Sequence, residues 1–294
     1  MRFTARDGAV LHVDELGTAD APPLVVLSGG PGRHPAYLGA FEPVAGMRRV
    51  LVLHPRGVGG SAAVPPRSFA DAADDVEDLR RHLGVPAIDL LAHATGCRTA
   101  LVHAARAPEH VAHLLLVAPA TAWLGIHDDD DDRAVIAERH RHESWFDSAL
   151  EAALLLADER DPERRIALYP RAAPLAWSTW DARALAYESA AVWYPDAVAA
   201  FFAPFDPEPL RAALPRISCP VVIVGGEDDP FVGFRPLEVL TALLPQGSLA
   251  AIESCGHYPW VEAPAEFAIA LRAFLGSAPP APPIGRRRPT TRPA

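Results

Sequence analysis

Ala92-His93-Ala94-Thr95-Gly96 follows directly on the apolar run Ala87-Ile88-Asp89-Leu90-Leu91 and precedes a helical pattern. A strand that turns sharply into a helix through small-x-nucleophile-x-small holds its central side chain clear above a sheet, where it can attack an acyl carbon. That chemistry needs Ser, Cys or Asp at the centre. Residue 94 is Ala, and a methyl group is no nucleophile. The reading of the pattern therefore turns on the partners such a nucleophile would need.

Those partners have candidates. Ser28-Gly29-Gly30-Pro31-Gly32 follows the apolar run Pro23 to Leu27. Glycines there leave backbone N–H groups free to stabilise an oxyanion, and Gly30 and Thr95 are the expected donors. Gly226-Glu227-Asp228-Asp229-Pro230 follows the apolar run Val221 to Val224, and Gly256-His257-Tyr258-Pro259-Trp260 follows Leu249 to Ile252. His257 is the expected general base and Asp229 the acid that orients it, with Asp228 as the competing acid. The chain order is nucleophile position, acid, base. Cys97, near a helix N-terminus, is the alternative nucleophile, but three positions on from Ala94 the helix has turned away.

The elements that must position these groups are legible as periodicities. Residues 2–16 alternate around a turn at Asp7-Gly8. Apolar runs at 23–27, 49–53, 87–91, 111–118, 220–224 and 248–252 lack polar alternation and alternate with helical patterns. That predicts a mostly parallel sheet covered on both faces. One such helix is bracketed by a Ser68/Asp71 cap and by Gly84. Between Thr121 and Arg216 only helical patterns occur. They are expected to form a lid (residues 121–216) over a catalytic domain made of 1–120 and 217–277, where open α/β sheets bind ligands. The Pro-rich 278–294, with Arg286-Arg287-Arg288, reads as a disordered tail.

The chain has 294 residues, half of them hydrophobic, and a net charge of −10. The length suffices for one large α/β domain with an insertion. The acidic balance argues against a nucleic-acid partner and favours a cationic or neutral substrate. Cys97, Cys219 and Cys255 show no disulfide framework or zinc spacing, which indicates a reducing compartment. The run Asp128 to Asp132 lacks the spacing of a calcium loop and reads as a solvated loop or helix N-terminus. Neither a signal-peptide pattern nor an apolar run of about 18 residues is present, so a cytoplasmic location is expected, with no membrane partner. Neither a metal nor a cofactor is expected.

Together these motifs resemble the α/β-hydrolases, with a helical lid inserted after one strand, and more narrowly the proline iminopeptidase group. Ser28-Gly29-Gly30-Pro31-Gly32 is similar to that group's HGGPG, with Ser28 in place of His. His54-Pro55-Arg56-Gly57-Val58-Gly59-Gly60-Ser61 is similar to its D-x-R-G-x-G-x-S, with His54 in place of Asp. Trp177-Ser178-Thr179-Trp180-Asp181 resembles its W-x-x-W-E, whose carboxylate helps hold the substrate's free α-amino group. The resemblance implies removal of an N-terminal aminoacyl group from a peptide or small amide. It places Trp177, Trp180 and Asp181 at the substrate. Glu188 lies seven residues on from Asp181 on one expected helix, so either carboxylate is a candidate for the ammonium group.

Ala94 admits two further readings. Either a serine has been replaced, leaving an inactive serine hydrolase, or the chain is a non-catalytic binding protein on a hydrolase scaffold. The retained Asp229, His257, glycine loop and small elbow flanks favour the first. Within enzymes, an ester or thioester hydrolase is the nearest alternative to the aminopeptidase.

Overall fold

The computed structural model describes residues 1–17, 22–39, 41–45, 47–126 and 132–276. The expected tail at 278–294 and most of the acidic run from Asp128 lie outside the described residues. Eight strands make one sheet in the order β1-β2-β4-β3-β5-β6-β7-β8. They are β1 (Arg2–Thr4), β2 (Val10–Leu16), β3 (Pro23–Leu27), β4 (Arg49–Leu53), β5 (Ile88–His93), β6 (Val111–Val117), β7 (Val221–Gly226) and β8 (Gly247–Ile252). β1 and β2 pair antiparallel across the Asp7-Gly8 turn, and β2 pairs antiparallel with β4. The remaining five pairings are parallel.

Burial explains the unbroken apolar runs. Val25, Leu90, Leu114 and Ile223 point into one core, whereas Leu24, Leu91, Leu115 and Val224 point into a second core on the opposite face. Both sides of each central strand must therefore be apolar. Helices α2 (Ala72–Leu83) and α3 (Gly96–Arg106) cover the first face, through Val76, Leu79 and Leu101. The short α1 (Glu42–Ala45) adds Val44 to the second face. The Ser68 hydroxyl accepts the Asp71 N–H at 3.1 Å, and Gly84 ends α2 in the left-handed region at φ 68°.

Between β6 and β7 the described residues form helices without a strand of the sheet: α4 (Asp132–Glu138), α5 (Phe146–Asp158), α6 (Pro162–Ala172), α7 (Ala182–Ser189), α8 (Pro195–Phe201) and α9 (Glu208–Ala213). The chain then returns through α10 (Arg235–Ala242), α11 (Pro259–Glu262) and α12 (Pro264–Gly276), the last packing Phe267, Leu271 and Phe274 onto the second core. Among the described residues, no helix is long and apolar enough to cross a membrane.

The segment His54 to Ser61 proves to be a structural knot. The Arg56 guanidinium donates to Asp75 at 2.7–3.1 Å and to Asp7 at 2.8 and 3.1 Å. The carboxylate missing at position 54 is supplied across the sheet by Asp14, 2.8 Å from His54 Nε2.

Candidate active site

The turn after β5 carries backbone strain. Ala94 has φ 49°, in the left-handed region, and its N–H donates to the Val117 carbonyl at 2.8 Å. That conformation costs a non-glycine residue about 1–2 kcal/mol. Close packing imposes it. A Cβ on Gly96 would lie 2.5 Å from the Ser28 carbonyl oxygen, and one on Gly29 would lie 2.8 Å from the Ala94 methyl. Only glycine lets α3 and the glycine loop approach this closely. The methyl of Ala94 faces a cavity of about 700 Å³.

Gly30 and Thr95 line the same cavity. Neither of their backbone N–H groups donates to an acceptor among the described residues, whereas the Gly29 N–H is taken by the Tyr37 hydroxyl at 2.6 Å. The N–H groups of Gly30 and Thr95 are thus available to an acceptor in the cavity.

Asp229 follows β7, is wholly buried, and lies 2.6 Å from Nδ1 of His257, which follows β8. The other carboxylate oxygen of Asp229 accepts the Phe231 N–H at 3.0 Å, which fixes its rotamer. Asp228 turns away to the Ser178 hydroxyl and Arg139. Burial alone would lower the His257 pKa, but the Asp229 charge and hydrogen bond outweigh it and raise it above the ordinary value. With Nδ1–H directed at Asp229, the assigned tautomer leaves the Nε2 lone pair free to accept a proton. His257 and Ala94 share the cavity wall. Cys97 is buried beneath the elbow, with Sγ 3.3 Å from the Ala92 carbonyl oxygen, and burial pushes its thiol pKa up. It is neither exposed nor a thiolate.

His93 was not singled out by sequence, yet it joins three loops. The Gly29 N–H donates to Tyr37 Oη, which lies 2.8 Å from His93 Nδ1, and His93 Nε2 lies 3.0 Å from the His257 carbonyl oxygen. Burial, and next the charge of His257, drive the His93 pKa well below its ordinary value, so the ring stays neutral. The available signal was a polar residue at the end of a strand that is otherwise apolar except for Asp89.

The expected amine anchor is corrected. The Asp181 carboxylate caps α7, accepting the N–H groups of Arg183 and Ala184 at 2.9 Å each, on the exposed side of the helix and away from the cavity wall. Satisfying those two donors is what fixes it there. Trp177 and Trp180 pack with Tyr187 and Tyr258 in a small cluster and do not line the cavity, because their rings supply that cluster's core. The cavity tryptophans are Trp123 and Trp193. Glu188 does face the cavity, but it pairs with Arg33 at 3.2 Å and accepts from Trp177 Nε1 at 3.2 Å.

Among the described residues, one cluster has metal-ligand composition: His12, Asp14 and His54. Nδ1 of His54 accepts the Gly60 N–H at 3.0 Å, so its proton sits on Nε2 and points at Asp14. A metal there would have to displace that proton.

A mostly parallel sheet with an elbow at the end of β5, and an acid and a histidine on the loops after β7 and β8, is the architecture of an α/β-hydrolase. The chain belongs to the alpha/beta hydrolase fold family, whose sequence profile matches residues 22–264. It is 30% identical over 115 residues to a proline iminopeptidase of Arabidopsis thaliana, covering 37% of this chain and 30% of that one. It is also 30% identical over 125 residues to the proline iminopeptidase of Neisseria gonorrhoeae, covering 39% and 40%. The chain thus spans well under half the length of these relatives. Among solved structures, the esterase RhEst1 from Rhodococcus sp. ECU1013 superposes with a TM-score of 0.71 at 21% identity, covering 95% of this chain and 99% of that one.

Proposed function

We propose that this chain is a serine-hydrolase scaffold arrested at the binding step. It binds an ester or amide, holds the carbonyl oxygen on the N–H groups of Gly30 and Thr95, and stops because residue 94 has no hydroxyl. With a serine at 94, His257 takes its proton as the oxygen attacks the acyl carbon. Asp229 stabilises the imidazolium, the leaving group departs with that proton, and water then releases the acid by the same route. The observation that carries this reading is the Asp229–His257 pair at 2.6 Å, sharing a cavity with an alanine held at positive φ.

Aminoacyl-peptide hydrolysis is the second reading. The similarity to two proline iminopeptidases and the presence of Glu188 on the cavity wall favour it. The Arg33–Glu188 pair counts against it, because a substrate ammonium would have to compete for a carboxylate already neutralised.

The Ala94→Ser variant tests both. It is expected to be labelled covalently at residue 94 by a fluorophosphonate and to hydrolyse p-nitrophenyl butyrate. The parent should be slower by about a millionfold, by analogy with another serine hydrolase, which is roughly 8 kcal/mol of barrier. Proline p-nitroanilide tests the aminopeptidase reading in the same assay. A folded Ala94→Ser protein that is neither labelled nor active on any of these would refute the enzyme reading and leave a binding protein.

A further inference from the structure

The charged groups on the cavity wall are strongly biased in sign. Among the described residues, Arg33, Arg98, Arg160 and Arg165 line the cavity with one carboxylate, Glu188, which Arg33 already neutralises. Arg98 stands out among them. It sits in the first turn of α3, four residues on from Ala94, and is partly buried. Among the described residues its side chain has no hydrogen bond and no ion pair, and its Nε is buried without an acceptor.

Four rings surround its guanidinium: Trp123 at 5.4 Å, Phe201 and Phe202 at 5.6 Å, and Phe69 at 5.7 Å. Aromatic rings stabilise a cation through their faces. They offer nothing to the N–H donors lying in the guanidinium plane. Arg165 also lies against Phe202, 4.3 Å from that ring, held by the carbonyl oxygens of Leu156 and Glu159 at 2.8 and 2.7 Å. Burial, and next the like charge of Arg165, pull the Arg98 pKa down to about 10. A partly buried guanidinium, repelled by its neighbour and with no in-plane acceptor among the described residues, has the donors and the charge to hold an anion.

We propose that Arg98, seconded by Arg165, binds a carboxylate carried by the ligand, so that the preferred substrates are monoesters or monoamides of short dicarboxylic acids. The planar fork of an arginine matches a carboxylate two-pronged. An aromatic seat with one unpaired guanidinium suits a single negative charge joined to an apolar spacer. The scissile carbonyl then lies at residue 94 and the far carboxylate at Arg98. The inference rests on the cavity being the acyl site, but its test needs no turnover.

The Ala94 protein is titrated with monomethyl adipate, an anion at neutral pH, and with dimethyl adipate, its neutral analogue, using the fluorescence of the cavity tryptophans. The anion is expected to bind at least about tenfold tighter, the size of one charge-assisted hydrogen bond. In Arg98→Met that preference should fall to within about twofold, with a Tm at or above the parent's, since an uncompensated buried charge has been removed. Arg98→Lys should keep part of the preference. Equal binding of the two esters by the parent overturns the proposal without reference to any variant, as does a folded Arg98→Met that retains the preference. Loss of anion preference alongside an active Ala94→Ser protein would sink this inference alone. Anion preference alongside an inert Ala94→Ser protein would sink only the catalytic reading.

Discussion

His257 shows how one contact sets both reactivity and stability. Its burial favours the neutral ring, and Asp229 at 2.6 Å favours the imidazolium, with the second effect prevailing. In the Ala94→Ser background the histidine must be neutral to act as base, so kcat/KM should rise with pH along a limb centred above 6.5, the ordinary histidine value. Asp229→Asn withdraws the charge but not the packing. The limb should move to lower pH, and kcat should fall by about ten-thousandfold, by analogy with the same change in another triad. A pH–rate profile of the two proteins decides this, and a limb left in place would assign it to some group other than His257. The linked stability has a definite sign. The folded chain holds the His257 proton more tightly than the unfolded one, so this contribution is complete below about pH 6.5 and is lost as pH rises through the folded pKa.

At the scale of elements, one carboxylate joins the helical insertion to the loop that bears His257. Glu262 in α11 accepts the N–H of Ser178, from the insertion, at 2.8 Å, and those of Gly256 and Tyr258, which flank His257, at 3.1 and 3.3 Å. Burial pushes its pKa up from 4.5 to about 6, against the pull of those three donors. Between these values the folded chain retains a proton that the unfolded chain has released. Stability should therefore fall as pH rises from about 4.5 to about 6, by on the order of 2 kcal/mol. Glu262→Gln keeps an acceptor oxygen but cannot titrate, so denaturant melts across that window should lose the slope. If the slope persists, another group carries it. The elements themselves were largely legible in sequence. β3 and β7 are apolar on both faces because two cores flank them, as are β5 and β6 apart from Asp89, His93 and His113, and α2 was bracketed because Ser68, Asp71 and Gly84 act locally. Asp181 was not legible in the same way. A carboxylate just ahead of a helix is the same signal whether it caps the helix or waits for an amine, and only the N–H groups of Arg183 and Ala184 decide between them.

Across the whole molecule, what escaped the sequence is what depends on distant pairing. Arg33 meets Glu188, and Tyr37 reaches His93, through contacts that no local pattern announces. Composition and cavity point to different ligands. A net charge of −10 argues for a cationic or neutral one, whereas the described cavity wall carries more arginines than carboxylates. Total charge governs the field far from the surface, whereas buried groups govern the field inside a cavity, where salt screens little. The two act on different steps of binding an anion. At low ionic strength the acidic surface repels monomethyl adipate before it reaches the mouth. Added salt, up to about 0.15 M where the Debye length is about 8 Å, should weaken that repulsion. Stopped-flow association rates are therefore expected to rise with salt by up to roughly tenfold, the low end of electrostatic effects on encounter. Dissociation, governed by the buried contact with Arg98, should change little. An association rate that falls as salt is added would mean that the arginines project their field through the mouth, and the separation of outer and inner charge drawn from the cavity wall would be wrong.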